Sequence, residues 1–262
     1  MDLTITDYFG YPLPPQERMR LIKAAGFKGI SGLIWRDDFD IDYNLFPEYA
    51  ANMGLYIENM HAPWQDCNDI WLDKIDGQVF MEEIIELVKV CARYEIPALV
   101  LHPENKNGTA YAELPVNFSI GIDRFKRIIA VAEHQNVNIA IENMCRIEYL
   151  DCIFSSITSK RLGFCFDSGH WNVFLPDIDL LGLYGNRLMA LHLHDNNGKD
   201  DWHALPFSGN IDWDKIKLKL KAVKYNGAIS LEVGNKTFEH IQNPNEFLML
   251  AAESARGIVY TK

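Results

Sequence analysis

The residues best suited to chemistry in this sequence are histidines and acids that follow short apolar runs. His192 and His194 alternate with leucines in Leu-His-Leu-His-Asp, so an extended strand would place both imidazoles on one face. The turn-forming residues after this segment lead to Asp201 and His203. Imidazoles and carboxylates at a strand end and in the following loop are typical metal ligands. A buried strand with a hydrogen-bonded histidine and a solvated acidic loop is the alternative interpretation.

Other strand-like segments also end in an acid or an imidazole. Glu142 follows Ile-Ala-Ile and Glu232 follows Ile-Ser-Leu, so each carboxylate would lie at the end of a buried strand. An unpaired buried carboxylate costs several kcal/mol or shifts its pKa. Only Arg146 and Lys236 lie close enough in sequence to neutralise these two acids, so a metal is the stronger hypothesis. The full set of candidates is His61, His102, Glu142, Asp167, His170, His192, Asp201, His203 and Glu232.

These candidates need a scaffold that brings strand ends together, and the rest of the chain predicts one. Apolar segments of strand length alternate with segments of helical periodicity eight times. The predicted strands are residues 3–9, 27–35, 55–61, 98–102, 137–142, 162–167, 187–192 and 228–232. The predicted helices are residues 14–25, 45–52, 79–94, 117–134, 147–158, 178–183, 213–223 and 245–258.

Eight strand-then-helix units predict a (β/α)8 TIM barrel, an α/β fold in which the carboxyl ends of the strands meet on one face. A length of 262 residues suits this fold, and no linker-like segment interrupts the units, so we expect one domain over residues 1–262. A doubly wound open sheet is the alternative fold. It would predict a glycine-rich phosphate loop, which the sequence lacks.

Composition narrows the classes of partner. A formal net charge of -11 argues against a nucleic acid or an anionic membrane. The first residues lack the basic and apolar regions of a signal peptide, and no apolar run approaches the length of a membrane span. Five cysteines without a C-x-x-C pair indicate reduced thiols. We therefore expect a cytoplasmic protein without nucleic-acid or membrane partners, and homo-oligomerisation is left open.

The order and spacing of the candidate motifs resemble the xylose-isomerase-like barrels, a superfamily that includes sugar isomerases and epimerases and endonuclease IV. The likeness runs from the second or third strand to the eighth. It extends to Gly209-Asn210-Ile211-Asp212, which is similar to a turn before helix seven of that superfamily. The motifs that carry it are His61-Ala-Pro, Leu101-His102-Pro103, Ile141-Glu142-Asn143-Met144, Phe166-Asp167-Ser168-Gly169-His170, His192-Leu-His-Asp195, Asp201-Trp-His203 and Leu231-Glu232-Val233.

The resemblance implies where divalent ions would bind. One ion of the sugar isomerases and epimerases has four ligands, which match Glu142, Asp167, His192 and Glu232. The second ion of endonuclease IV shares Glu142 and uses positions that match His61 and His102. The ligands of its third ion match His170, Asp201 and His203. The sequence does not distinguish Mn, Zn, Co, Mg and Fe.

The resemblance also implies an enzyme that isomerises or epimerises a small-molecule sugar or sugar phosphate by proton transfer next to a carbonyl. Glu142 and Glu232 would transfer the proton and His170 would orient substrate oxygens. Because indole rings can stack on sugars, we expect the substrate site to include Trp35, Trp64, Trp171 and Trp202. Tryptophans in such positions also serve as lids or core. One-metal epimerases commonly have an arginine in the loop after strand seven, and this sequence has none there.

Two other functions fit the same residues. One is a multinuclear metal-dependent phosphoester hydrolase related to endonuclease IV. The charge of -11 and the absence of basic clusters in the strand-end loops argue against it. The other is a barrel that binds a sugar without turnover.

Overall fold

Parallel strands form the centre of the molecule. The computed structural model describes residues 1–33, 45–114 and 118–260, and these residues contain eight strands. The strands are Leu3–Thr6 (β1), Gly29–Leu33 (β2), Tyr56–His61 (β3), Ala98–Leu101 (β4), Asn138–Glu142 (β5), Leu162–Asp167 (β6), Leu188–His192 (β7) and Ile229–Leu231 (β8). They pair in the order β7-β6-β5-β4-β3-β2-β1-β8. A parallel bridge between Leu193 and Leu231 then joins β7 to β8 and closes the sheet.

Helices connect successive strands and cover the outside of the sheet. They are Pro15–Ala24 (α1), Phe46–Asn52 (α2), Ile75–Arg93 (α3), Ser119–Gln135 (α4), Ile147–Ser156 (α5), Ser168–Phe174 (α6), Leu180–Tyr184 (α7), Trp213–Ala222 (α8) and Pro244–Ile258 (α9). The predicted (β/α)8 TIM barrel is therefore confirmed. In the part of the chain that the structure describes, no helix is both long and apolar enough to cross a lipid bilayer.

The alternation of side chains along the strands explains how the barrel both packs and presents its ligands. Val100, Ala140, Cys165 and Ala190 form a small apolar cluster of their own, separate from the larger core between sheet and helices. In β5, β6 and β7 the cluster residue lies two positions before the last residue of the strand. Because side chains two apart share a face, the acid or imidazole that ends each strand points the same way as this cluster. The ligand candidates therefore stand above a layer of small apolar side chains.

Several element boundaries differ from prediction. β1 ends at Thr6 rather than at residue 9, and Phe9 packs into the core beyond the strand. The helix predicted at residues 178–183 begins at Leu180, because the Asp179 side chain caps it by accepting from the Gly182 N–H. The short helix α6 was not predicted. Trp35 and Asn117, at the end of one predicted strand and the start of one predicted helix, lie outside the described residues.

Candidate metal centre

Four strands deliver four ligand-type side chains to one point. Glu142, Asp167 and His192 are the last residues of β5, β6 and β7, and Glu232 directly follows β8. Asp167 pairs with His192 in the sheet register, so these neighbouring strand ends are level. One ligand atom from each of the four residues lies within 4.8 Å of the others. These are the positions at which the sequence predicts a single divalent ion.

The two glutamates approach one imidazole from different strands. His192 Nδ1 lies 2.9 Å from Glu142 Oε2 and 3.1 Å from Glu232 Oε2. His192 and Glu142 are buried, and the Glu232 side chain is 13% exposed. Two carboxylates therefore converge on the same position, and the Glu232 side chain keeps a small accessible surface.

His61 and His102 extend this group on the β3 and β4 side. The two Nε2 atoms are 3.1 Å apart, and they lie 3.3 Å and 3.5 Å from Glu142 Oε2. Nδ1 of His61 lies 2.7 Å from the carbonyl of Ala62, to which it donates. That hydrogen bond leaves the Nε2 lone pair of a neutral His61 facing the centre, which is the tautomer a metal ligand needs.

A third group lies on the other side of Glu142. His170 Nε2 is 3.3 Å from Asp201 Oδ2, and His203 Nε2 is 3.2 Å from the same oxygen. His203 Nδ1 donates to the carbonyl of Glu232 at 3.0 Å, and His170 Nδ1 lies 3.0 Å from Glu142 Oε1. The structure thus brings all nine acid and imidazole candidates into three connected groups around Glu142.

His194 belongs to the same network, although it was not among the predicted ligands. Its Nε2 lies 3.1 Å from Asp167 Oδ1 and 3.7 Å from Asp201 Oδ1, and its ring stacks on His203 with centroids 4.1 Å apart. Gly169 permits this position, since a Cβ there would lie 1.8 Å from the His194 ring. The alternation that puts His192 and His194 on one face was the sequence signal for this residue.

Hydrogen bonds to a buried acid hold the loop that carries Asp201 and His203. Asp195 accepts from the backbone N–H of Ile211 and from the indole N–H of Trp213, at 3.2 Å and 2.8 Å. It is fully buried, and its backbone pairs with that of Ala204. Asp195 therefore holds the loop in place, because its backbone joins the two sides of the loop and its side chain joins them to the start of α8.

The charges of this centre shift the pKa values of its members in opposite directions. Burial raises the pKa of the Glu142 carboxyl, but the neighbouring imidazoles, His192 first, lower it by more than burial raises it. The pKa of Glu142 therefore lies well below its usual range. Burial also raises the pKa of Glu232, and His192 lowers it by more. For His203, burial lowers the pKa but Asp201 raises it to about 10. Without an ion, ionised carboxylates thus face the protonated imidazoles of His170, His192 and His203, whereas burial lowers the pKa of His102.

Several buried polar atoms of the centre make no hydrogen bond of regular geometry among the described residues, although charged groups face them, as His192 Nδ1 faces Glu142 Oε2 at 2.9 Å. They include both carboxylate oxygens of Glu142, Oδ2 of Asp167 and both ring nitrogens of His192. Leaving one such atom unsatisfied costs about 1–3 kcal/mol, so a cluster of them requires an explanation. Mixed carboxylate and imidazole donors are the ligands that Mn, Fe, Co and Zn accept in proteins. The residues present therefore fit a divalent ion.

A cavity of about 440 Å³ opens above the centre, and a second one of about 330 Å³ adjoins it. Trp64 lines both, with its ring edge-on to His61 at a centroid distance of 5.3 Å. Trp202 lines the second cavity with Tyr8 and Val233. Six predicted ligands line the larger cavity, namely His61, His102, His170, Asp201, His203 and Glu232.

The other two predicted tryptophans are not part of these cavities as described. Trp171 is buried in the hydrophobic core, where its indole N–H donates to the carbonyl of Ile178 at 2.9 Å. It lines a separate depression beside α7 and α8. Trp171 directly follows His170 in the chain, but its ring packs in the core and lines neither of the two cavities beside the ligand candidates. Trp35 lies outside the described residues.

Three lysines line the larger cavity, which corrects the expectation that the strand-end loops hold no basic cluster. Lys106, Lys199 and Lys236 follow β4, β7 and β8. The Lys106 ammonium lies 4.2 Å from the centroid of the Phe174 ring. The lysines are far apart in sequence, and only the closure of the barrel brings their loops to one opening.

The sequence matches a family model described as xylose isomerase-like TIM barrel over residues 19–254. The uncharacterized protein y4fM of Sinorhizobium fredii is 30% identical over 249 residues. The match covers 81% of this chain and 78% of that protein.

Solved structures with this fold include a D-tagatose 3-epimerase-like protein, with a TM-score of 0.72 and 23% identity over 97% of this chain and 99% of that one. A structure of IOLI protein with a zinc atom has a TM-score of 0.80 and 17% identity, covering 99% of this chain and 98% of that one. Likeness at these identities establishes the fold.

Proposed function

The chain belongs to the xylose isomerase-like TIM barrel family, and from that premise we propose that it is a divalent-metal-dependent isomerase or epimerase acting on a sugar or sugar phosphate. The observation that carries the proposal is the convergence of Glu142, Asp167, His192 and Glu232 within 4.8 Å at the strand ends. The fold shared with a D-tagatose 3-epimerase-like protein and with a zinc-bound IOLI protein supports it.

Glu142, Asp167, His192 and Glu232 would hold the ion. A divalent cation at that position would polarise the carbonyl and hydroxyl oxygens of a ketose, which makes the neighbouring C–H more acidic. The cavity above the centre would hold the substrate, with Trp64 at its side.

Glu142 and Glu232 would move the proton. Their pKa values are lowered, so both are ionised and able to accept a proton at neutral pH. One carboxylate takes the proton from the α-carbon while the electron pair of that C–H bond moves toward the carbonyl. Return of the proton on the same face to the former carbonyl carbon, with a proton passing between the two oxygens, gives isomerisation. Return to the α-carbon from the opposite face by the other carboxylate gives epimerisation. A low pKa also makes each carboxylate a weak base, so the reaction depends on the acidity that the cation gives the substrate.

His170 would position substrate oxygens beside this pair. It lines the cavity, and its Nδ1 lies 3.0 Å from Glu142 Oε1. An imidazole held in this way can donate to a substrate hydroxyl and keep the carboxylate oriented at the same time.

The proposal is tested by hydrogen exchange in heavy water. Ketoses, their phosphates and keto-inositols are incubated with the metal-loaded protein and with Glu232→Gln, and deuterium at the α-carbon is measured. The amide keeps an oxygen that can bind a cation but cannot accept a proton at neutral pH, so exchange should fall by about 100-fold or more. Glu253→Gln, an exposed residue on α9, is the matched control. Absence of exchange with every sugar, or full exchange in Glu232→Gln, would contradict the proposal.

Multinuclear hydrolysis of a phosphoester is a second candidate function. It is favoured by the groups His61–His102–Glu142 and His170–Asp201–His203, which offer ligands beyond those a single ion needs. Cleavage of a generic phosphodiester or of an abasic oligonucleotide, without deuterium exchange into any sugar, would favour this function over the isomerase.

A further inference from the structure

The larger cavity is lined by three lysines and by the acids Asp200, Asp201 and Glu232. Lys106, Lys199 and Lys236 come from three different strand-end loops, and all three are exposed. Glu232 and Asp201, both members of the metal-facing groups, are less exposed than the lysines. Three lysines and the exposed Asp200 thus share one cavity of a protein whose formal net charge is -11.

Lys106, Lys199 and Lys236 have no carboxylate partner within 4.0 Å among the described residues. Some other surface lysines do pair with acids, namely Lys74, Lys89, Lys126, Lys217 and Lys219. Others, such as Lys160, have no such partner among the described residues, so it is the shared position at one cavity that sets Lys106, Lys199 and Lys236 apart. Lys106 is instead held over the aromatic face of Phe174, which leaves its ammonium group available to the cavity. Ammonium groups without an internal partner can each offer up to three hydrogen-bond donors to a ligand.

We propose that the substrate of this centre carries a terminal oxyanion, a phosphate or a carboxylate, which Lys106, Lys199 and Lys236 hold at the cavity entrance. The reactive carbonyl end then faces Glu142 and Glu232. This inference rests on the proposed function and names its substrate class. The cavity of about 440 Å³ is within the range of roughly 300–1,000 Å³ typical of small-molecule sites.

An ammonium group acts on a phosphate as a point charge, so three of them from separate loops can surround an oxyanion without the fixed geometry of a guanidinium. Their attraction reaches into solvent and raises the rate at which an anionic substrate finds the opening, and added salt weakens it.

Binding of polyols that cannot be isomerised tests this inference apart from turnover. Glucitol, glucitol 6-phosphate and gluconate are titrated calorimetrically into the zinc-loaded protein. We expect at least one anionic probe to bind about tenfold or more tightly than glucitol, and the preferred probe distinguishes phosphate from carboxylate. The preference should be lost in a variant with Lys106→Met, Lys199→Met and Lys236→Met, and kept in Lys160→Met. Lys160 is exposed and precedes β6, at the opposite end of the barrel.

Three outcomes would overturn the inference. They are equal binding of glucitol and both anions, no binding of either anion at millimolar concentration, and an anionic preference that persists in the triple variant because the metal alone holds the oxyanion. If the triple variant does not fold, the three single variants replace it, and each should lose part of the preference. Because glucitol has no carbonyl, failure of deuterium exchange would count against the proposed function and leave a lysine-dependent preference standing.

Discussion

Protons compete with a cation for the histidines of the centre. Burial lowers the pKa of His170 and His192, but neighbouring acidic groups raise both well above the ordinary value. Asp201 raises the pKa of His203 to about 10 against the effect of burial. In the metal-free protein these imidazoles therefore carry protons at neutral pH. Each must lose its proton before its nitrogen can bind a metal.

Metal affinity should therefore rise with pH. A raised pKa means that the protonated form is favoured at low pH and is lost only as the pH rises through that value. Competition with the cation thus weakens steadily from about pH 6 to about pH 9. Zinc titrations in buffers of different ionisation enthalpy should show release of at least one proton per ion at neutral pH. An affinity that is constant over this range, with no proton release, would be inconsistent with the histidine ligands.

Individual residues differ in how much the sequence reveals about them. The positions of Glu142 and Glu232 could be predicted, because a carboxylate at the end of a buried apolar strand needs a counter-charge, an N–H donor or a metal ion beside it. His194 was harder to interpret, since its contact with Asp167 depends on a close approach to Gly169 that only the folded chain shows. The orientation of Trp171 toward the core depends in the same way on packing between helices.

At the scale of elements, the start of α6 packs closely against the site, and a larger side chain at Gly169 would collide with His194. Asp167 caps this helix by accepting from the His170 N–H at 2.6 Å, so one residue both ends β6 and begins the helix. Asp is a favoured N-cap residue, so Asp167 is a possible helix start in the sequence. The sequence pattern does not predict α6, because a helix of seven residues gives little periodicity and its first residues, Ser168 and Gly169, directly follow the strand-end acid.

Gly169→Ala should disturb the packing between α6 and the end of β7. The added methyl group would lie 1.8 Å from Cε1 and 2.3 Å from Nδ1 of His194, so the ring or the helix must move. We expect a loss of about 1–3 kcal/mol in the free energy of unfolding, measured with urea, together with weaker zinc binding. Gly234→Ala is the control, since no atom lies within 4 Å of its added methyl group. Equal stability of the two variants would argue against a tight contact at Gly169.

At the scale of the whole molecule, charge is distributed unevenly. The protein is acidic overall, with a net charge of -11, but this total gives no indication that three lysines line one cavity. The barrel itself could be predicted, because eight alternations of strand-like and helical periodicity are a signal spread over the entire chain. The shared position of Lys106, Lys199 and Lys236 at one cavity could not be predicted, because their loops come together only when β8 closes the sheet against β7.

Removal of divalent ions should destabilise the whole fold. An ion that binds only the folded state adds about 2.7 kcal/mol at a concentration 100 times its Kd. We therefore expect the Tm to fall after exhaustive chelation at neutral pH and to recover when Zn or Mn is restored. The variant Glu142→Ala should show little response to either treatment. A wild-type Tm that is identical with and without metal would contradict this expectation.

The metal content of the purified protein tests the central claim most directly. The protein is dialysed against excess Zn or Mn, freed of loosely bound ions, and analysed for metal by mass spectrometry, beside His192→Ala and the control Glu253→Gln. We predict one tightly held ion per chain in the wild type and in the control, and its loss in His192→Ala, because His192 lies between both glutamates. Two or three tightly held ions would favour the hydrolase. A wild-type chain that retains no ion, or a His192→Ala variant that retains as much as the wild type, would contradict the assignment of this centre.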